Sequence, residues 1–172
     1  MATLSEDVEV KVATNAAQHF VDTYYPTLND PRRRSELASF YVTPTSNSPV
    51  QADISLNGNL VATPADLQTV FEKQVQKARY EVQSYDCQVL NSDYNIGAEE
   101  NMLRPDKDGK KMSILVLVSG SVRYGKEGAP DGETRGFTEN IVLVPNWDSH
   151  GPRSSKGAKK WLILSQNFRL VV

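Results

Sequence analysis

From about residue 80 onward, apolar side chains recur at every second position, over stretches long enough for strands spanning a whole sheet. Strands are expected near 80–90, 112–124, 137–145 and 160–171. Before residue 80 the period is helical. Ala13, Ala16, Ala17, Phe20, Tyr24 and Leu28 form one stripe on a helix over roughly 6–28. In "NDPRRRSELASFY", Asp30 is a good N-cap and Pro31 suits a first helical position, so a short second helix follows. "ADISLNGNLVAT" reads as two short strands around the hairpin turn Asn57-Gly58. "TPADLQTVFEKQVQKA" opens a third helix, with Thr63 capping, Pro64 at the first position and Asp66 completing a weak capping box. Helices first and a strand meander after them make the class α+β, with neighbouring strands antiparallel. At 172 residues, the chain is expected to be one domain with an acidic extension over 1–12 and long loops at 91–111 and 146–160.

Strict alternation gives these strands two partly apolar faces. Met112, Ile114, Val116, Val118 and Val122 share one face, and Leu115 and Leu117 share the other with Ser113, Ser119 and Ser121. In the last strand, Leu162, Leu164, Phe168 and Leu170 form a core face broken by Gln166. Trp161, Ile163, Ser165, Asn167, Arg169 and Val171 form the opposite face. Antiparallel sheets usually keep one wet face. Three helices can cover one side, and nothing else in the chain is left for the second. A large uncovered apolar patch marks an interaction site. The competing reading is a sheet folded back on itself as a sandwich. The expected partner-facing residues are Trp161, Ile163, Ser165, Asn167, Arg169 and Val171, joined by Phe137, Ile141 and Leu143. An enclosed Arg169 needs an anion. Glu139 is the only local acid, so a carboxylate of the partner is expected to meet Arg169.

Hydrophobic residues make up 39% and charged residues 23%, with net charge -2, which gives no global attraction to nucleic acid or acidic lipid. One cysteine, Cys87, excludes an intrachain disulfide and suits cytosol or nucleus. The acidic N-terminus does not read as a signal or transit peptide, and no apolar run approaches a bilayer span, so no membrane insertion is expected.

Chemistry-bearing residues are sparse. His19 reads as a helix-face histidine, and His150 lies in a Gly/Pro loop. Two distant histidines and one cysteine make no zinc set. "GKEGAPDGETRG" lacks the strand and helix of a phosphate loop. Tyr24, Tyr25 and Tyr85 read as core or rim aromatics. No catalytic residue, metal or cofactor is therefore expected, and the chain reads as no enzyme. Two loops remain. Met102 and Leu103 are apolar residues in the 91–111 loop, a candidate docking element. The 146–160 loop carries Arg153, Lys156, Lys159 and Lys160, which suits RNA phosphates as well as it suits a solvated hairpin tip. Arg32, Arg33 and Arg34 read as a solvated helix face.

The order of elements resembles the nuclear transport factor two-like family. "AAQHFVDTYYPTLND" resembles its first helix, "SELASFY" its short helix, and "LNGNLVATPADLQTVF" its hairpin and third helix. "GFTENIVLV" and "WLILSQNFRLVV" resemble its last two strands. The resemblance implies a cone: a strongly bent antiparallel sheet on three N-terminal helices. The long loops are most similar to the branch of small mRNA-export subunits, known in fungi as mRNA transport regulators. That branch implies a heterodimer with the like domain of a larger mRNA export receptor. It also implies passage through nuclear pores with messenger ribonucleoprotein, contact with nucleoporins through the heterodimer, service to large ribosomal subunits, and shuttling between nucleus and cytoplasm. Two other readings share the fold: a cavity-based isomerase or dehydratase, and a homodimeric carrier of the Ran GTPase. In that carrier an acidic residue follows an aromatic at the hairpin turn. Leu56 and Asn57 stand there in this chain.

Overall fold

The structure is a computed structural model and describes residues 4–75, 77–125, 132–152 and 154–171. Helix α1 spans Glu6–Asn29, with Glu6, Asp7 and Glu9 in its first turn, where the helix dipole favours acids. All six residues of its expected stripe are buried, and Val21 and Tyr25 widen it. The second helix starts later than expected, as a 3-10 helix over Arg34–Phe40. Asp30 ends α1 instead of opening the next helix, and its Oδ1 accepts the Arg32 N–H at 2.9 Å. Strands β1 (Asp53–Leu56) and β2 (Asn59–Val61) form the expected hairpin. Asn57 and Gly58 both have positive φ, 51° and 83°, as this turn requires.

Helix α2 (Pro64–Thr69) starts on the expected cap, with the Asp66 N–H donating to Thr63 Oγ1 at 3.1 Å. It is shorter than expected, because residues Val70–Gln74 widen into a π turn and the helix stops. The side chain responsible for organising this end is Arg34, 2% exposed. Its Nε donates to the Leu28 carbonyl at 2.9 Å, Nη1 to Phe71 at 2.9 Å and Val75 at 3.1 Å, and Nη2 to Ala78 at 3.4 Å. One guanidinium thus joins the ends of α1 and α2 to the start of the third strand. Arg32 and Arg33 are exposed as expected, but Arg34 is a buried fastener.

Strands β3 (Ala78–Asn91), β4 (Ser113–Tyr124), β5 (Glu133–Pro145) and β6 (Trp161–Leu170) complete a six-stranded sheet in the order β2-β1-β6-β5-β4-β3. The meander is antiparallel, but β1 runs parallel to β6, so the sheet is mixed. The rule that sequence neighbours pair antiparallel does not reach a pair more than a hundred residues apart in the chain. Two bonds fasten that junction: Asn57 N–H to the Phe168 carbonyl, and Leu170 N–H to Asn57 Oδ1, each 2.8 Å.

The helices cover the face bearing Ile114, Val116, Val118, Phe137, Ile141, Leu143 and Phe168, all in one core with Phe20, Tyr24 and Leu37. Phe137, Ile141 and Leu143 are 1%, 0% and 0% exposed, which removes them from any partner surface. In β6 the ladder skips one residue: Val142 faces Ser165 and Leu143 faces Ile163, leaving Leu164 as a bulge. Beyond the bulge the alternation reverses. Ile163, expected on the open face, lies in the core at 0% exposure, and Trp161 packs against that core. Leu162, expected in the core, moves to the open face opposite Val144.

Replacing Arg34 by Ala leaves four carbonyls without their donor. Urea unfolding of Arg34→Ala is expected to show a loss of about 3 kcal/mol or more, with Arg34→Lys in between. A loss below about 0.5 kcal/mol, the usual range for surface substitutions, would show that water replaces the guanidinium freely.

Candidate partner interface

On the face away from the helices, the register places Leu117 beside Asp86, Asn140 and Asn167 in turn. The next row runs Gln88, Leu115, Val142, Ser165 and Asp53. A third row holds Ser84, Ser119, Thr138 and Arg169. Leu117 is 43% exposed, while Leu115 and Val142 are half-buried. This surface is mixed, with leucines at its centre and one arginine near its edge.

Ser165, Asn167 and Arg169 lie on this face as expected, and Val171 beyond β6 is 54% exposed. Arg169 is exposed and makes no ion pair among the described residues; its guanidinium lies against Gly58. Glu139 is not its partner, because Thr138 is the residue opposite Arg169 and Glu139 points to the core. The partner-facing residues expected from the sequence left out Val142 and the two leucines of β4, which lie at the centre of this open face. Their signal was present, since Leu115 and Leu117 alternate with core residues of β4.

One end of the open face is covered after all. Val144 is 2% and Ser113 6% exposed. Tyr94, Ile96 and Met102 of the 92–111 insert line a groove with Val144 and Leu162. The insert is held by Lys111, 4% exposed, whose Nζ meets Asp93 Oδ1 at 2.7 Å and the Arg104 carbonyl at 3.2 Å. Trp147 Nε1 donates to the Ile96 carbonyl at 2.8 Å. Met102 is half-buried against this groove, and Leu103 is 51% exposed. The insert therefore frames the open face, and its length in the sequence disguised a folded element as a loop.

The basic loop is split. Arg153 lies outside the described residues. Lys156 and Lys160 are exposed. Lys159 is engaged: its Nζ donates to Ser39 Oγ at 3.0 Å and sits 4.5 Å from the centre of the Phe40 ring. It fastens the loop to the 3-10 helix, which an exposed loop cation would not do.

Under the helices lies a buried polar cluster that sequence reading treated as separate residues. Glu139 accepts hydrogen bonds from Tyr25 Oη and Gln166 Nε2. Gln166 Nε2 also donates to Tyr24 Oη at 2.9 Å, while its Oε1 accepts from Tyr41 Oη. Tyr24 and Tyr41 hydroxyls lie 3.1 Å apart. Burial raises the pKa of all three tyrosines, so they remain protonated donors. Burial also pushes Glu139 up to about 7, against the lowering effect of its two donors. An acid near neutrality beside tyrosines is the raw material of proton-transfer chemistry. Here Glu139 is 2% exposed and does not line the groove beside the insert. The carboxylate is sealed into the core, its oxygens occupied by the chain's own side chains. Among the described residues, no group of three or more His, Cys, Asp or Glu is placed to hold a metal, and no helix is long and apolar enough to cross a membrane.

Glu139 makes stability depend on pH. Its folded pKa is about 7, against an unfolded value of roughly 4.3. Between these values the folded state holds a proton that the unfolded state lacks. The contribution is complete below the unfolded value and is lost as pH rises through the folded one. At about 1.4 kcal/mol per pKa unit, the whole loss is roughly 4 kcal/mol, most of it falling between pH 5 and pH 8. Urea unfolding from pH 5 to pH 8 is expected to show this decline, and Glu139→Gln is expected to flatten it. An equal slope in both proteins would assign the decline to other groups.

Residues 16–170 match the nuclear transport factor 2 (NTF2) domain. NTF2-related export protein 1 of Bos taurus is 25% identical over 169 residues, 98% of this chain and 96% of its own. A chain from the structure of the Chaetomium thermophilum Mex67 NTF2-like domain complexed with Mtr2 is 32% identical, with TM-score 0.77 over 92% of this chain and 98% of its own. A chain from the complex of the Sac3N peptide with Mex67:Mtr2 is 31% identical, with TM-score 0.80 over 92% of this chain and 99% of its own. By contrast, a Streptomyces avermitilis chain provisionally assigned as a dehydratase is 11% identical, with TM-score 0.60 over 96% of this chain and 99% of its own, which shows the shared fold alone. The chain belongs to the nuclear transport factor 2 domain family.

Proposed function

We propose that this chain is the non-enzymatic small subunit of an mRNA export heterodimer. The observation that carries the reading is the open sheet face, where leucines lie together with an arginine that has no ion pair among the described residues. Such a surface suits a second sheet better than water. The similar structures supply the occupant: Mtr2 is there complexed with the NTF2-like domain of Mex67, a domain of like fold. The sealed Glu139 cluster supports a role without chemistry, since a substrate has no path to it.

The interface is centred on Leu115, Leu117 and Val142, with Ser165, Asn167, Arg169 and Val171 completing one side. Arg169 meets a carboxylate of the larger receptor, and its planar guanidinium suits a bidentate pair. Two arginines facing each other across a two-fold axis repel, which disfavours a homodimer. The heterodimer carries messenger ribonucleoprotein, and by the same route large ribosomal subunits, past nucleoporins, so the chain shuttles between nucleus, pore and cytoplasm. Leu103, exposed on the insert beside half-buried Met102, is a docking point at the rim of that surface. Arg153, Lys156 and Lys160 contact RNA phosphates from the basic loop.

Co-expression with the receptor domain and pull-down tests the interface. Arg169→Asp is expected to abolish co-purification, a loss of several kcal/mol for a buried pair, while the chain keeps its unfolding midpoint. An acid-to-Arg change in the receptor is expected to restore part of the binding. Unchanged co-purification of Arg169→Asp would remove Arg169 from the interface.

The basic loop is tested separately. Replacing Arg153, Lys156 and Lys160 by Ser is expected to weaken RNA binding by the heterodimer and reduce its salt slope by about 0.7 for each phosphate no longer neutralised. An unchanged slope would make the loop a solvated tip.

A further inference from the structure

A second concave surface lies on the helix side of the molecule, remote in chemistry from the open sheet face. It is a groove of about 780 Å³, in the upper part of the roughly 300–1,000 Å³ range of ligand pockets. One wall is the side of α1, where Val12, Ala16 and His19 recur at helical spacing. The opposite walls come from Lys110 of the insert, His150 after β5, and Lys160 and Trp161 at the start of β6. Both histidines of the chain thus line the same groove from different segments.

The charge of this groove runs against that of the chain. The whole protein has net charge -2, yet the groove presents two lysines and two imidazoles against one acid, Asp108. Asp108 meets Lys110 at 3.2 Å, and Lys160 makes no ion pair among the described residues. Burial, and then the Lys110 ammonium, hold the His150 pKa below its ordinary value, so this imidazole is uncharged in the empty groove at neutral pH. The floor is apolar: Val12 and Ala16 lie beside half-buried Trp161. An occupant therefore needs an apolar body and spread negative charge. The groove crosses α1 along its side, well past the first turn at Glu6, so it offers no helix N-terminus to a concentrated phosphate.

We infer that this groove binds a short acidic peptide segment of another protein, with an apolar side chain on the Val12–Ala16–Trp161 floor and carboxylates toward Lys110 and Lys160. The two imidazoles act as hydrogen-bonding groups on opposite walls. This site is independent of the open-face interface, none of whose residues lines it, and shares only Lys160 with the basic loop assigned to RNA.

Because the chain has two histidines, their imidazole resonances are clean reporters. The probe is an acetylated, amidated hexapeptide of sequence Asp-Glu-Leu-Phe-Glu-Asp, titrated into the full chain. Saturable shifts of both the His19 and the His150 peaks are expected. Lys110→Glu is expected to weaken the peptide by roughly tenfold, as reversal of one engaged charge implies. Lys110→Gln, which leaves packing nearly unchanged, is expected to give a smaller loss in the same direction. Absence of shifts up to the solubility limit of the peptide would overturn the proposal. So would equal shifts from the same peptide with Lys in place of its acids. Equal shifts of both imidazoles and equal affinity from inorganic phosphate or from oligouridylate would make the groove an anion or RNA contact and overturn the peptide assignment. Arg169→Asp is expected to leave the titration unchanged, which separates this result from the fate of the heterodimer.

Discussion

Which residues of β6 lie on the covered and which on the open side of the sheet is set by its ladder with β5, along which β6 carries one more residue. Because side chains alternate strictly, that extra residue exchanges the faces of everything before it. With Leu164 as the bulge, Ile163 and Trp161 join the core, while Ser165, Asn167 and Arg169 stay outside. A ladder without the bulge would put Ile163 in the open and Leu162 under α1. The bulge therefore leaves Ser165, Asn167 and Arg169 on the open face, and lets a large aromatic close the core near the basic loop.

The core beneath the sheet is held by polar groups as well as apolar ones. Arg34 collects four carbonyls at the junction of two helices and a strand. Glu139, Gln166 and three tyrosines satisfy one another across the helix–sheet boundary. Buried polar groups are tolerated where each finds a partner, and they then specify one arrangement among several apolar alternatives. Here the boundary is filled by the chain's own hydroxyls, amide and carboxylate, and the molecule's exposed features lie elsewhere: on the open face, the insert, the basic loop and the α1 groove.

Much of this was legible beforehand. The α1 stripe, the Asn57-Gly58 hairpin, the Thr63 cap and the four long strands follow from local periodicity and turn chemistry, and each is found within a few residues of its expected place. What local rules could not reach was non-local. The parallel β1–β6 pair joins distant segments. The bulge at Leu164 is decided by the neighbouring strand, so Trp161 and Ile163 were placed on the wrong side, whereas Phe137, Ile141 and Leu143 were misplaced because alternation alone does not say which face of β5 the helices cover. Arg34 looked like its neighbours Arg32 and Arg33, because its carbonyl partners lie up to 44 residues further along the chain. The identity of Arg169 as an open-face residue survived, since it lies on the C-terminal side of the bulge, where simple alternation still holds.

A second protein seated on the open face would shield its central side chains from solvent. Hydroxyl-radical footprinting of the chain, alone and in complex with its receptor domain, tests it most directly. Leu115, Leu117 and Val142 are expected to lose reactivity in the complex, while His19 and Trp161 on the helix side keep theirs. Unchanged reactivity at the two leucines, with protection appearing along α1 instead, would contradict the account.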